Sequence, residues 1–84
     1  MGGDLNQAVV LSAFAEVLVR VCEQVALDLQ PDMALADIPG IDSLRLLQAI
    51  ALLEENCAVE IMIPALENLH QVGDVVDAIL QARR

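Results

Sequence analysis

The sequence has no tryptophan, no tyrosine and no lysine, and Phe14 is its single phenylalanine. The apolar fraction is nevertheless 57%, supplied mainly by alanine, valine, leucine and isoleucine. These residue types suit closely packed helices better than a β-sheet rich in aromatic side chains. At 84 residues the chain is near the lower size limit for folding without disulfides or metal. We expect one domain over residues 1–84, with residues 1–4 as a disordered tail.

Basic residues are also scarce, because four arginines and no lysine oppose 13 acidic residues, for a formal net charge of −9. Nucleic acid and anionic membranes repel such a chain, so we exclude both as partners. The longest nearly uncharged stretch, residues 5–15, is shorter than the roughly 20 apolar residues of a membrane span. The N-terminus is acidic and polar, unlike a secretory signal, so we expect a soluble, cytoplasmic protein.

Only two cysteines are present, Cys22 and Cys57, and each lies in an apolar segment. There is no Cys-x-x-Cys pair, and His70 is the only histidine, so we expect no metal site. Two buried free thiols in a reducing compartment are the favoured interpretation, and a disulfide between the two segments is the alternative.

Residues 5–29 carry the apolar period of one long amphipathic helix, which we expect to end at Pro31 because proline cannot continue a helix. Its apolar residues at helical spacing are Leu11, Phe14, Leu18, Val21 and Val25. A loop over residues 30–41 follows. Four of its apolar side chains are expected to pack on the core: Met33, Leu35, Ile38 and Ile41.

Two further helices are expected. One begins after Asp42, a good N-cap residue, and runs to about Asn56. The other carries an apolar period at the end of the chain: Val72, Val75, Val76, Ile79 and Leu80. Residues 59–71 between them are ambiguous, with a loop at first and then a short helix from Pro64 to His70. The prediction is an all-α fold, a small four-helix bundle of three long helices and one short one, with a long loop between helices 1 and 2.

The second helix carries two apolar stripes, turned about 160° from each other at 100° per residue. The first stripe consists of Leu46, Ala49, Ile50 and Leu53, and the second of Leu44, Leu47, Gln48 and Ala51. A small core can bury one stripe completely. The second stripe is therefore either buried as well or a docking surface for a partner.

Ser43 begins this helix and permits three interpretations. It can be a second capping hydroxyl beside Asp42. A hydrolase nucleophile is excluded, because there is no Gly-x-Ser-x-Gly motif and His70 lies on another segment with no evident orienting acid. As an attachment point Ser43 is well placed, since free N–H groups and the positive end of the helix dipole suit a phosphodiester.

The stretch from ADIPGIDSLRLL through ALLEENCAVEIMIP to VGDVVDAIL resembles acyl carrier proteins and the related peptidyl carrier (thiolation) domains. The pattern of that family has an Asp-Ser-Leu core at a loop-to-helix boundary, then an acidic pair and a Val-x-Ile-Pro-like turn. The matching positions here are Asp42, Ser43, Leu44, Glu54, Glu55, Val59 and Ile61. The resemblance covers nearly the whole chain.

The resemblance implies a non-enzymatic carrier with 4'-phosphopantetheine attached to Ser43 by a phosphopantetheinyl transferase. It implies acyl-loading and acyl-processing partners of the ligase or adenylation, acyltransferase and ketosynthase types, and we expect a monomer. The expected docking residues flank the serine: Asp42, Leu44, Arg45, Leu47, Gln48 and Ala51. A flexible arm raises the effective concentration of its cargo at each partner, so the carrier needs no catalytic residue.

Fatty-acid-synthesis carriers generally have acids just after Asp-Ser-Leu, where this sequence has Arg45 and Gln48. That difference favours a carrier of a polyketide or related natural-product pathway. A peptidyl or aminoacyl carrier of a nonribosomal peptide pathway is the alternative, although the Ile-Asp-Ser-Leu flank favours acyl cargo. From a different class, an unmodified helical adaptor could bind a partner helix through Leu44, Leu47 and Ala51.

Overall fold

The computed structural model describes residues 6–61 and 68–82, and these form an all-α fold. The described helices are α1 (Gln7–Val21), α2 (Ser43–Cys57) and α3 (Val72–Ala82), and a single 3-10 turn spans Leu35–Asp37. The all-α class predicted from the sequence is confirmed. Part of the predicted short helix, including Pro64, lies outside the described residues, as does the expected tail at residues 1–4. The described end of that segment, residues 68–70, is not helical.

The core lies where α1 packs against both α2 and α3. Phe14 is fully buried there, as are Leu18 on the same helix and Leu53 on α2. The predicted apolar face of α3 is confirmed, because four of its five residues are buried: Val72, Val75, Val76 and Ile79. The remaining residue, Leu80, packs against the core while half-buried.

The prediction that α1 continues to Pro31 is wrong, because α1 ends at Val21. Glu23 adopts the left-handed backbone conformation with φ 56°. Its N–H donates to the Arg20 carbonyl at 3.4 Å, and the Gln24 N–H donates to the Val19 carbonyl at 3.0 Å. This pair of bonds is a Schellman ending, which turns the chain away from the helix axis. Val25, predicted to face the core, is consequently fully exposed.

Both cysteines are free thiols, so the alternative of a disulfide is wrong. Cys22 is buried, and Cys57 is half-buried near the end of α2. Burial raises the pKa of both thiols above the ordinary value, which favours their protonated form.

The long loop is fastened to the start of α3 by backbone hydrogen bonds. The first N–H groups of a helix lack intrahelical acceptors, and here carbonyl groups of the loop accept their hydrogen bonds. The Val72 N–H donates to the Met33 carbonyl at 2.8 Å, and the Gly73 N–H donates to the Pro31 carbonyl at 2.7 Å. As predicted, the loop's apolar side chains pack on the core, with Leu35 and Ile38 buried and two others half-buried: Met33 and Ile41.

Replacing Gly73 with alanine tests this attachment. Alanine has the higher helix propensity by about 1 kcal/mol, so an isolated helix would gain stability. In the folded chain a Cβ at Gly73 would lie 2.9 Å from the Pro31 carbonyl oxygen, closer than such atoms pack. We expect Gly73→Ala to lower the free energy of unfolding by about 1–2 kcal/mol through overpacking. Urea denaturation measures the change, and a more stable variant would show that the loop does not press on α3.

Candidate functional site

Asp42 caps the N-terminus of α2, as the sequence predicts. Its backbone is extended, and its Oδ1 accepts a hydrogen bond from the Arg45 N–H at 2.8 Å. The capping function therefore belongs to Asp42, and the side chain of Ser43 forms no hydrogen bond with any described residue. The backbone N–H groups of Ser43 and Leu44 likewise have no partner among those residues. The site thus presents an exposed hydroxyl beside two free donors.

The hydroxyl stands at the positive end of a helix of 15 residues. Free N–H groups and the helix dipole stabilise an anion at such a position. Only one other side-chain hydroxyl exists in the chain, that of Ser12, because the sequence has two serines, no threonine and no tyrosine. Ser12 lies in the middle of α1, where the backbone N–H groups are occupied by helical hydrogen bonds. The two serines therefore differ in their chemical surroundings.

A cavity of about 380 Å³ opens next to Ser43. Its walls come from three separate parts of the chain, and most of the lining side chains are apolar: Leu35, Ala36, Ile41, Leu46 and Leu69. His70 lies at the same cavity, and its backbone N–H donates to Asp74 Oδ2 at 2.9 Å. No carboxylate among the described residues accepts a hydrogen bond from the imidazole ring, so the described part of the site contains no oriented base of the kind that a serine hydrolase requires.

The sequence did not predict this cavity. Leu69 and His70 are 26 and 27 residues from Ser43, and no local pattern indicates that they meet it. They are brought there by the attachment of the loop to α3, where the Leu35 N–H donates to the His70 carbonyl at 2.9 Å. The pairing of Ala34 with Gln71 in an isolated bridge continues that contact.

Asp74 stabilises the cavity wall from the first turn of α3. Its Oδ2 accepts hydrogen bonds from the N–H groups of His70 and Gln71, both at 2.9 Å. These two bonds, the one from Gln71 having the larger effect, hold the pKa of the Asp74 carboxyl below its ordinary value. An acid in the third helical position that reaches back to the N-cap is half of a capping box.

The pH dependence of stability tests this cap. Because the folded state lowers the pKa of Asp74, its contribution is complete above the unfolded pKa of about 3.9 and is lost as pH falls through the folded value. We expect Asp74→Ala to be less stable than wild type at pH 7, with a difference that shrinks below about pH 4. Asp77→Ala is the control, since it removes the same charge from the exposed side of α3 without removing these bonds. An Asp74→Ala difference unchanged down to pH 2 would contradict the assignment.

The two stripes of α2 have different surroundings. In the first stripe Ala49, Ile50 and Leu53 are buried, and Leu46 packs against the core. In the second stripe Leu44 is 65% exposed and Leu47 is 52% exposed. Gln48 and Ala51 are exposed as well. The interpretation in which both stripes are buried is therefore wrong, and an aliphatic surface extends along α2 from beside Ser43.

In the described part of the chain no helix is long and apolar enough to cross a bilayer. The same part holds no cluster of three histidine, cysteine, aspartate or glutamate residues suited to binding a metal ion.

Comparison with known proteins agrees with the geometry of the site. The family described as phosphopantetheine attachment site matches residues 9–79, which is most of the chain. The sequence is also 32% identical over 78 residues to an acyl carrier protein of Acidothermus cellulolyticus, and the match covers 93% of each chain. Members of this family are carriers and not enzymes, and they work with a phosphopantetheinyl transferase and with biosynthetic enzymes. The chain belongs to the acyl carrier protein family, and its cofactor is covalently attached 4'-phosphopantetheine.

Proposed function

We propose that Ser43 is the attachment point and that the chain is an acyl carrier of a polyketide or related natural-product pathway. The observation that supports this most strongly is the exposed hydroxyl of Ser43 beside two N–H groups at the start of α2, none of which has a hydrogen-bond partner among residues 6–61 and 68–82. The donors fit a phosphodiester, whose charge the helix dipole stabilises. When bound, the group supplies a thiol that holds acyl cargo as a thioester.

The chain's own residues then have three tasks. Asp42 holds the first turn of α2 and so fixes the direction of the Ser43 side chain. The second stripe offers partner enzymes an aliphatic surface, through Leu44 and Leu47 above all. The apolar cavity beside Ser43 offers a sheltered surface to the group attached to that serine. The proposed docking set is Asp42, Leu44, Arg45, Leu47, Gln48 and Ala51.

The composition of this surface supports the pathway assignment. Partner enzymes of fatty-acid carriers bind through basic patches, and Arg45 and Gln48 offer them no negative charge. The exposed leucines favour partners with aliphatic recognition surfaces instead. We propose a cytoplasmic monomer whose partners are a phosphopantetheinyl transferase and enzymes of the ligase or adenylation, acyltransferase and ketosynthase types. A peptidyl or aminoacyl carrier is the second candidate, because an aliphatic face suits its partners equally.

A transfer assay tests this proposal. The carrier is converted to its phosphopantetheinylated form and offered to a malonyl acyltransferase of fatty-acid synthesis, with a fatty-acid carrier as reference. We expect this carrier to be loaded at least about tenfold more slowly, because the steering charges are missing. Gln48→Glu should recover part of the loading rate. Gln7→Glu adds the same charge at the first residue of α1 and should leave the loading rate unchanged. Equal loading of the two wild-type carriers would contradict the pathway assignment.

A further inference from the structure

The four residues Ile38–Pro39–Gly40–Ile41 form a tight turn just before Ser43. The Ile41 N–H donates to the Ile38 carbonyl at 3.1 Å, and Gly40 has φ +79°. Proline at the second position and a left-handed glycine at the third are the signature of a type II turn. The side chain of Ile38 is 2% exposed, so the turn is anchored in the core at its first residue.

Gly40 fits against the end of α1. A Cβ at this position would lie 3.2 Å from the Cys22 carbonyl oxygen and 3.3 Å from Gln24 Nε2. The Gln24 side chain is itself held there, because Nε2 donates to the Cys22 carbonyl at 3.1 Å. One side of the turn is therefore in contact with the Schellman ending of α1.

Arg45 also binds the turn. Its Nη1 donates to the Gly40 carbonyl at 2.8 Å. Two residues along a helix correspond to a rotation of about 200°, so the Arg45 side chain leaves α2 on the side opposite Ser43. A cation in the first turn of a helix opposes the dipole, so helix stability does not account for an arginine at this position.

The electrostatics of Cys22 agree with this placement. Burial is the main cause of the raised pKa of the Cys22 thiol, and the Arg45 guanidinium acts to lower that pKa while the Asp42 carboxylate acts to raise it. The charges of Asp42 and Arg45, at the start of α2, therefore act on the thiol at the end of α1. Arg45, Gly40 and Cys22 form one connected contact across the loop that leads to Ser43.

From these contacts we propose that Arg45 is a positioning residue, which acts through the Ile38–Ile41 turn to hold Ser43 in the orientation that the phosphopantetheinyl transferase needs. The inference rests on the proposed attachment at Ser43. A transfer reaction requires its acceptor oxygen in a narrow range of positions, and a loosened turn would spend less time there. Arg45 was expected to dock partners, and the hydrogen bond to Gly40 gives it a second task within the carrier itself.

The first test compares modification rates of two arginine variants. Arg45→Met keeps most of the aliphatic stem and removes the hydrogen bond, whereas Arg20→Met removes the same charge from the exposed face of α1. We expect kcat/KM of the transferase to fall about fivefold to tenfold for Arg45→Met, the size of a typical net hydrogen bond, and to stay at the wild-type value for Arg20→Met. The loss should persist at high salt, because it does not depend on attraction to the enzyme. Equal rates for wild type and Arg45→Met would overturn the proposal.

The second test asks whether Arg45 acts through the turn or on the enzyme. Gly40→Ala disturbs the same contact from the α1 side, since an alanine at φ +79° is strained and meets Cys22. If Arg45 acts through the turn, the double variant loses little more than the stronger single variant, and additive losses would overturn the proposal. Amide exchange of Ile41, whose N–H closes the turn, gives a reading in Arg45→Met that does not require Gly40→Ala to fold. Faster exchange there than in Arg20→Met supports the proposal, and unchanged exchange overturns it.

These outcomes are separate from a failure of the proposed function. If folded wild-type protein accepts no phosphopantetheine at all, attachment at Ser43 is wrong and the positioning proposal falls with it. If wild type is modified and only the Arg45 result is negative, the carrier function stands and the positioning proposal alone is overturned.

Discussion

Ser43→Ala is expected to gain no phosphopantetheine when it is incubated with CoA, Mg²⁺ and a transferase under conditions that convert wild type completely. The variant lacks the acceptor oxygen, and no neighbouring side chain can replace it, because the chain's other hydroxyl lies on α1 at Ser12. Asp42 still caps α2, so the free energy of unfolding should change by no more than about 0.5 kcal/mol. Intact-mass spectrometry after incubation with a broad-specificity transferase measures the result.

Ser12→Ala is the matched control, since it removes the only other hydroxyl by the same substitution. It should be modified at the wild-type rate. Modification of Ser43→Ala, or its loss in Ser12→Ala, would show that the attachment point is elsewhere. Retained helical circular dichroism in both variants is required, so that an unfolded chain is not mistaken for an unmodifiable one.

Leu53→Ala is expected to lower the free energy of unfolding by about 2–5 kcal/mol, because Leu53 is fully buried and its truncation leaves a cavity in the core. Leu47→Ala makes the same change on the same helix, where the side chain is 52% exposed, and should cost about 0.5 kcal/mol or less. A domain of this length has a total stability of about 4–13 kcal/mol, so the first variant loses a large part of it. Urea denaturation of both variants measures the difference.

The effects of the two substitutions on acyl transfer should have the opposite order, with the larger loss in Leu47→Ala. Leu47→Ala should slow acyl transfer to and from partner enzymes while the protein remains folded, because an exposed leucine removed from a docking face weakens recognition. Leu53→Ala, at a temperature where it is folded, should transfer normally. Equal destabilisation by the two substitutions would contradict the assignment of the second stripe to the surface.

The start of α2 could be predicted from the sequence because its signals are local. An N-cap aspartate after a Pro-Gly turn and an apolar helical period are visible within a few residues, and the observed helix Ser43–Cys57 differs from the prediction by one residue at its end. The core face of α3 could be predicted for the same reason, since Val72, Val75 and Val76 repeat with helical spacing.

The end of α1 could not be predicted, because its usual marker is absent. Most left-handed helix endings use glycine, and here Glu23 adopts that conformation. The apolar period continues through Val25, so the pattern predicts helix where the chain has already turned away. Ala58 ends α2 in the same way with φ 56°. Both helices therefore end without the glycine that would mark the ending in the sequence.

The site was only partly predictable. Ser43, Asp42 and the second stripe lie in one continuous segment, and their positions on α2 follow from helix geometry. The cavity and the contact of Arg45 with Gly40 depend on how the long loop folds back on α1 and α3. Such contacts join residues outside any common periodic pattern, so the sequence alone does not indicate them.

Modification of this carrier at Ser43 can be measured on the wild-type protein itself. Its intact mass is measured after incubation with CoA, Mg²⁺ and a broad-specificity phosphopantetheinyl transferase, and fragmentation then locates any added group. We expect a single phosphopantetheine on the peptide that contains Ser43. No added mass on folded, helical protein, or a group located on any other residue, would contradict it.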